Sequence, residues 1–365
     1  MFEHLIAKDI AALVPYPPGK PLEELEREMG VANAVKLASN ENPLGPSPRA
    51  IDAVANALGN LHRYPDGRGY YLKESLAAKL GVEMDQLVLG NGSNEIIELM
   101  VRTFLRPGLD VVFSDPTFLV YAKVVQGASG NITRVPLKDF RHDLAGLAAA
   151  VTDKTRLLFL DNPNNPTGTL VPAGELKRFM ADLPRSLVLI LDEAYVDFVR
   201  SDEALDPRDV LDTDRPVIFL RTFSKAYGLA GLRIGYGLAH REIVDYLDRV
   251  RQPFNVNTLA QVGALAALED EEFRTQTLEL TWDGLAWLSQ ELESMGLKAF
   301  PTQTNFMMIG LSRPADQVSK ALLPKGLIVR SLSSYGYPDI IRVNAGLPEE
   351  NQRLIQGLKE VLEAA

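Results

Sequence analysis

Between residues 86 and 239, short β-branched runs alternate with longer amphipathic ones. That alternation is the sequence form of a βαβ succession with a largely parallel sheet. Strands are predicted at 86–89, 110–114, 155–161, 186–192, 216–222 and 232–239. Crossover helices are predicted over 94–105, where Ile96, Ile97, Leu99, Met100, Val101 and Phe104 supply the apolar side chains, and over 172–183. Beyond Arg241 helical patterns dominate to about residue 293; then 305–309, 327–330 and 340–344 read as strands ahead of a final helix from Pro348. The predicted class is therefore α/β: a large domain over 36–255 with a mostly parallel sheet and crossover helices, and a smaller α+β domain over 256–365. Residues 1–35 contain Val14-Pro15-Tyr16-Pro17-Pro18-Gly19-Lys20-Pro21, too rich in proline for a helix or central strand. They are expected to form an extended arm of the kind that reaches a partner subunit.

A chain of 365 residues exceeds what one hydrophobic core usually serves, which agrees with two or three domains. Lys and Arg number 38 against 48 Asp and Glu, and no basic run tracks a phosphate backbone, so nucleic acid is not an expected partner. The chain has no cysteine, and His4, His62, His142 and His240 lie far apart, so no metal site is predicted. Lys8 and Asp9 interrupt the apolar stretch a signal peptide needs, and no 18-residue apolar run occurs. No membrane association and a cytoplasmic location are the resulting expectations.

Four segments carry chemistry. Arg221-Thr222-Phe223-Ser224-Lys225 follows a strand end, and Arg233 stands eight residues after the lysine. The hydroxyls of Thr222 and Ser224 with Arg233 offer phosphate donors around one amine. Arg233 and partial desolvation would favour the neutral amine that bonding to a carbonyl requires. A loop lysine beside a helix start is the plain alternative. The apolar run 187–191 ends in Asp192-Glu193-Ala194-Tyr195, which puts a carboxylate at the sheet's carboxyl edge, where α/β ligands bind. A protonated pyridine nitrogen is a suitable partner for it, and a helix N-cap is the alternative role. In Asp161-Asn162-Pro163-Asn164-Asn165-Pro166-Thr167-Gly168 two prolines and a glycine fix an amide-rich turn at the same edge. Asn165 and the Tyr195 hydroxyl are candidate donors to a ring oxygen. Gly90-Asn91-Gly92-Ser93-Asn94-Glu95 joins a strand to an amphipathic helix, so its N–H groups can receive a phosphate; a simple N-cap at Ser93 or Asn94 is the alternative. It lacks the third glycine of the dinucleotide fingerprint, which disfavours a nicotinamide dehydrogenase.

The order of these motifs, with Asn40-Glu41-Asn42-Pro43 ahead of them, resembles the pyridoxal 5'-phosphate (PLP) dependent aminotransferases of fold type I over nearly the whole chain. With the proline-rich run at 14–21 and Arg63-Tyr64-Pro65-Asp66, the resemblance is to the histidinol-phosphate aminotransferases. It implies that Lys225 carries PLP and moves the substrate's α-proton, and that Asp192 holds the pyridine nitrogen. Asn165 and Tyr195 would bind the ring oxygen, while Ser93, Asn94, Thr222, Ser224 and Arg233 would bind the phosphate. Phe118, where the family more often has tyrosine, would stack on the ring; Asn94 stands where aspartate is frequent. Tyr64 would cross to the neighbouring subunit's cofactor phosphate, making a homodimer with shared sites. Arg330 and Arg342, with Tyr16 and Asn42, would bind a phosphorylated amine, and the same arginine at 342 the carboxylate of glutamate or 2-oxoglutarate. A threonine-phosphate decarboxylase, an aromatic aminotransferase and a non-catalytic regulator on the same fold are the competing readings.

Overall fold

A computed structural model describes residues 2–15, 21–211 and 213–363. Seven strands form one sheet, ordered 87–90, 235–239, 217–222, 188–192, 155–161, 110–115 and 131–136. Only Gly235–Ala239 runs antiparallel to its neighbours. In the central strands alternate residues face opposite sides, and both sides are apolar. Leu158, Leu160, Leu189, Leu191 and Phe219 enter one core, while Leu157, Phe159, Val188, Ile190 and Ile218 enter another. This is what a parallel sheet covered by helices on both faces requires.

A second sheet of four strands comprises Arg330–Ser331, Ile340–Asn344, Phe306–Gly310 and Lys298–Ala299 in that order. Glu271–Ser294, Ala315–Leu322 and Pro348–Glu363 are its helices. They share a third core in which Leu288, Leu292, Val318 and Leu358 meet Met307, Ile309, Ile341 and Val343. Among the described residues, no helix is long and apolar enough to cross a membrane.

One strand was not predicted, and three expectations need correction. The edge strand Asn131–Pro136 escaped sequence reading because only Val135 of its residues is buried; an edge strand facing solvent lacks the apolar run that marks a central one. The run 232–239 is strand only over Gly235–Ala239: Ala230–Leu232 is a 3-10 turn and Arg233 has φ 59°. The run 327–330 divides between sheets, Leu327–Ile328 pairing in parallel with Val35–Lys36 and Arg330–Ser331 joining Ile340–Asn344. The arm is not purely extended, since Lys8–Ala11 and Leu22–Met29 are helical. The second of these follows Pro21, buries Leu25 and ends at Gly30 with φ 66°, the usual left-handed helix stop.

Candidate active site

The carboxyl ends of three neighbouring strands deliver side chains to one place. Asp161 pairs with Asp192 across adjacent parallel strands, and Thr222 ends the next. Beside them lies a cavity of about 410 Å³. Lys225, Asp192, Tyr195, Asn165 and Phe118 line it, together with Ser93, Asn94, Thr222, Ser224 and Arg233. Arg330 and Arg342 line it from the small domain.

The end lined by Ser93 and Asn94 is suited to an anion. The helix Gly92–Phe104 begins there, with Asn91 as its N-cap residue, so Ser93 and Asn94 lie within the first turn rather than capping it. First-turn N–H groups lack helical partners and point at the cavity end of the helix. Glu95 ties this turn down by accepting from the Asn91 N–H at 2.6 Å and from Asn255 Nδ2 at 2.8 Å. Gly92 has φ +71°, and a Cβ on it would lie 2.7 Å from Arg233 Nη2. The guanidinium therefore sits where only glycine leaves room. Ser224 N–H and the Thr222 hydroxyl complete the cup, the N–H donating to Thr222 Oγ1 at 3.1 Å.

Lys225 Nζ donates to the Ser39 carbonyl at 3.1 Å and lies over the Tyr195 ring, 5.8 Å from its centroid. Burial lowers its pKa to about 8, helped next by Arg342 and, to a smaller extent, by Arg233, while Glu41 opposes the shift. The sequence pointed to Arg233 for this bias; Arg342, over a hundred residues away in the chain, exerts more of it. Asp192 is not a helix cap: it ends Val188–Asp192 and accepts the Ala194 N–H at 3.1 Å and the Tyr121 hydroxyl at 2.8 Å. Burial raises its carboxyl to about 7, and the Tyr121 hydrogen bond only partly offsets that. Both its hydrogen-bond partners among the described residues are neutral, so near neutral pH the carboxyl is divided between acid and ion, and a cation brought in by a ligand would favour the ion.

Tyr195 accepts from Asn40 Nδ2 at 2.8 Å and from Asn165 Nδ2 at 3.4 Å; burial above all raises its hydroxyl to about 12, leaving it a donor at neutral pH. Asn165 is positioned by Asp161, whose Oδ2 accepts its backbone N–H at 2.8 Å. Asp161 is held in turn by Thr117 at 2.5 Å, and its carbonyl is hydrogen-bonded to His142 Nε2 at 2.8 Å. Arg342 stands directly opposite Arg330 in the antiparallel pair. It donates to Asn165 Oδ1 and, at 3.0 Å, to the Ala38 carbonyl.

Two predicted residues fall elsewhere, and one cannot be placed. Asn42 does not line the cavity: its amide donates to the Ala226 carbonyl at 3.1 Å and Thr277 Oγ1 at 3.2 Å, and its Oδ1 accepts from Leu44 N–H at 3.0 Å. These bonds fasten the turn after Asn42 to Ala226, the residue that follows Lys225, and to Thr277. Tyr64 is 83% exposed, stacked on Phe254 with centroids 4.8 Å apart and outside its own chain's cavity. Tyr16 lies outside the described residues. Lys36, Glu41, Tyr121 and Tyr335 also line the cavity, although sequence reading singled out none of them. Tyr121 had a legible signal, three residues after Phe118 and so on the same side of a helical turn; Tyr335, in a short 3-10 turn, had none.

Residues 32–358 match the family described as aminotransferase class I and II. A histidinol-phosphate aminotransferase of Desulfotalea psychrophila is 50% identical over 360 residues, covering 98% of this chain and 95% of that protein. One of Moorella thermoacetica is 48% identical, covering 97% and 92% respectively. Among solved structures, the histidinol-phosphate aminotransferase of Sinorhizobium meliloti in complex with pyridoxal-5'-phosphate superimposes with a TM-score of 0.90 at 31% identity, over 98% of each chain. The chain thus belongs to the class I and II aminotransferases, the PLP-dependent enzymes of fold type I, and within them to the histidinol-phosphate aminotransferases.

Proposed function

We propose that this chain transfers the amino group of histidinol phosphate to 2-oxoglutarate, using PLP bound in the 410 Å³ cavity. The observation that carries the cofactor reading is Asp192, a buried carboxyl whose hydrogen-bond partners among the described residues are a phenol and an amide. A protonated pyridine nitrogen meets that need, and the cup of Ser93, Asn94, Thr222, Ser224 and Arg233 suits a phosphate. Asn165 and Tyr195 are the donors for the ring oxygen, Phe118 the side chain for its face.

When bound, PLP supplies a carbonyl for amine condensation and a ring that accepts electrons. The protein's part is proton transfer and positioning. Lys225 Nζ, neutral in a large fraction of molecules near pH 8, takes the proton from the amine-bearing carbon of the substrate and acts as the acid when charged. Burial of the site excludes water from the exchange. Arg342, fixed by Asn165 and the Ala38 carbonyl, and Arg330 opposite it present two cations to the substrate's phosphate, and in the second half-reaction to a carboxylate.

Mixing PLP-loaded protein with histidinol phosphate should convert the cofactor absorbance to that of the pyridoxamine form, and 2-oxoglutarate should restore it. Equal rates with unphosphorylated histidinol would rule out the paired-arginine reading; carbon dioxide release from threonine phosphate would point to a decarboxylase. Arg330→Ala is expected to raise KM for histidinol phosphate by roughly 10- to 100-fold with little change in kcat, the loss of a charge-assisted contact. Gly92→Ala is expected to weaken PLP binding about tenfold, because Arg233 must leave its place in the cup, and separately to lower folding stability by about 1–2 kcal/mol through αL strain; fluorescence titration with PLP would measure the first and thermal unfolding the second.

The exposed Tyr64 and its neighbour Phe254 support the reading that Tyr64 serves a second subunit's phosphate cup. Tyr64→Ala and Lys225→Ala proteins, each impaired alone, should then regain roughly a quarter of wild-type activity on random reassociation, since only the mixed dimer holds one intact site of two. No recovery would place Tyr64 outside the site.

A further inference from the structure

The hydroxyl of Tyr121 has no part in the phosphate cup or in the donors for the ring oxygen; it meets Asp192 alone among the described residues. Its ring is fully buried, stacked on Phe159 at 4.6 Å and edge-on to Phe118 at 5.6 Å and Phe113 at 6.3 Å. Phenylalanine would fill that aromatic box equally well, and a buried hydroxyl is unfavourable unless it is bonded. The oxygen is aimed at a single acceptor, Asp192 Oδ2, at 2.8 Å.

We propose that Tyr121 is a positioning residue of this enzyme: it donates to Oδ2 of Asp192, orients that carboxylate towards the cavity and keeps it an anion ready to pair with the ring nitrogen of PLP. The proposal rests on the PLP reading for its purpose, but not for its geometry.

Every other acidic neighbour works against an ionised Asp192. Asp161 stands beside it on the adjacent strand and Glu193 follows it in the chain, and both disfavour a further negative charge, although Glu193 is paired with Arg221 at 2.8 Å. The Tyr195 hydroxyl faces the same cavity and is engaged by Asn40 and Asn165. Among the described residues, the Tyr121 hydroxyl and the Ala194 N–H are the leading groups that favour the ion, with the hydroxyl the stronger of the two. Tyr121 cannot exchange roles with the carboxylate: burial and the nearby acids drive phenol ionisation well above its usual range, so it stays a donor.

The test is the titration of the Asp192 carboxyl, followed by 13C NMR in full-length, cofactor-free protein and assigned with Asp192→Asn. Tyr121→Phe should raise the midpoint by about one pH unit, as loss of one hydrogen bond to the charged form does. A difluorotyrosine placed at 121 alone, a stronger donor of nearly the same shape, should lower it. In PLP-loaded protein labelled at the ring nitrogen, the 15N shift of Tyr121→Phe should move towards unprotonated pyridine. An unchanged midpoint in both variants would overturn the proposal. If Tyr121→Phe does not fold, the difluorotyrosine protein decides alone. Failure of the PLP reading would appear differently, as absent cofactor binding with the carboxyl shifts intact.

Discussion

Alanine at position 225 is expected to abolish transamination while leaving PLP held without a covalent bond. The phosphate cup contains no part of Lys225, so the affinity contributed by Ser93, Asn94, Thr222, Ser224 and Arg233 persists, and gel filtration should carry cofactor along with the protein. Turnover should fall by at least about 10²–10⁴-fold from the lost proton transfer alone, and further from the lost covalent attachment. Small primary amines in the buffer should restore part of the rate, because the missing group is a single amine in an otherwise intact cavity. Substantial activity without them would refute the assignment. The same lysine sets a pH dependence. Its pKa is lowered from 10.5 to about 8, so the neutral amine accumulates as pH rises through about 8. Covalent attachment of PLP should follow that limb rather than one above pH 10.

Asp192→Asn is expected to separate stability from activity. In the folded, cofactor-free protein the Asp192 carboxyl titrates near 7 instead of 3.8. Between those values the folded chain holds a proton that the unfolded chain has released, so stability falls as pH rises through the window and has lost this contribution above about 7. Asparagine cannot ionise and escapes the loss. The variant's thermal midpoint without PLP should therefore match wild type near pH 4 and exceed it at about pH 8.5, by a stability difference of about 4 kcal/mol at most. Adding PLP should reverse the order, because only the carboxylate can pair with a cationic ring nitrogen. Turnover should drop by about 10²–10³-fold or more, the scale for removing one preorganised electrostatic partner. A cofactor-free variant that is less stable than wild type at both pH values would contradict the picture of Asp192 as an uncompensated buried charge.

The parts of the fold that were legible are those in which local pattern and tertiary demand agree. Thr155–Asp161 and Ile340–Asn344 match their predicted bounds because each is mostly apolar and closes on a polar residue. The edge strand at 131–136 and the helix Leu22–Met29 were not legible, since solvent-facing strands and segments beside proline carry little apolar signal. Asn42 shows the limit for single residues. Its motif places it near the site, but only packing decides that its amide turns towards Ala226 and Thr277.

By itself the sequence determined that the reactive groups sit at or just beyond the ends of their strands. Asp161, Asp192, Thr222 and Lys225 follow apolar runs, and a parallel sheet brings the carboxyl ends of such runs to one edge. Tertiary structure alone decided what those groups meet and how they titrate. Tyr121 reaches Asp192 across 71 residues and Arg342 reaches Asn165 across 177, and burial supplies the largest shift at both Lys225 and Asp192. Register across strands and exclusion of water are properties of the packed molecule, and no window of sequence contains them.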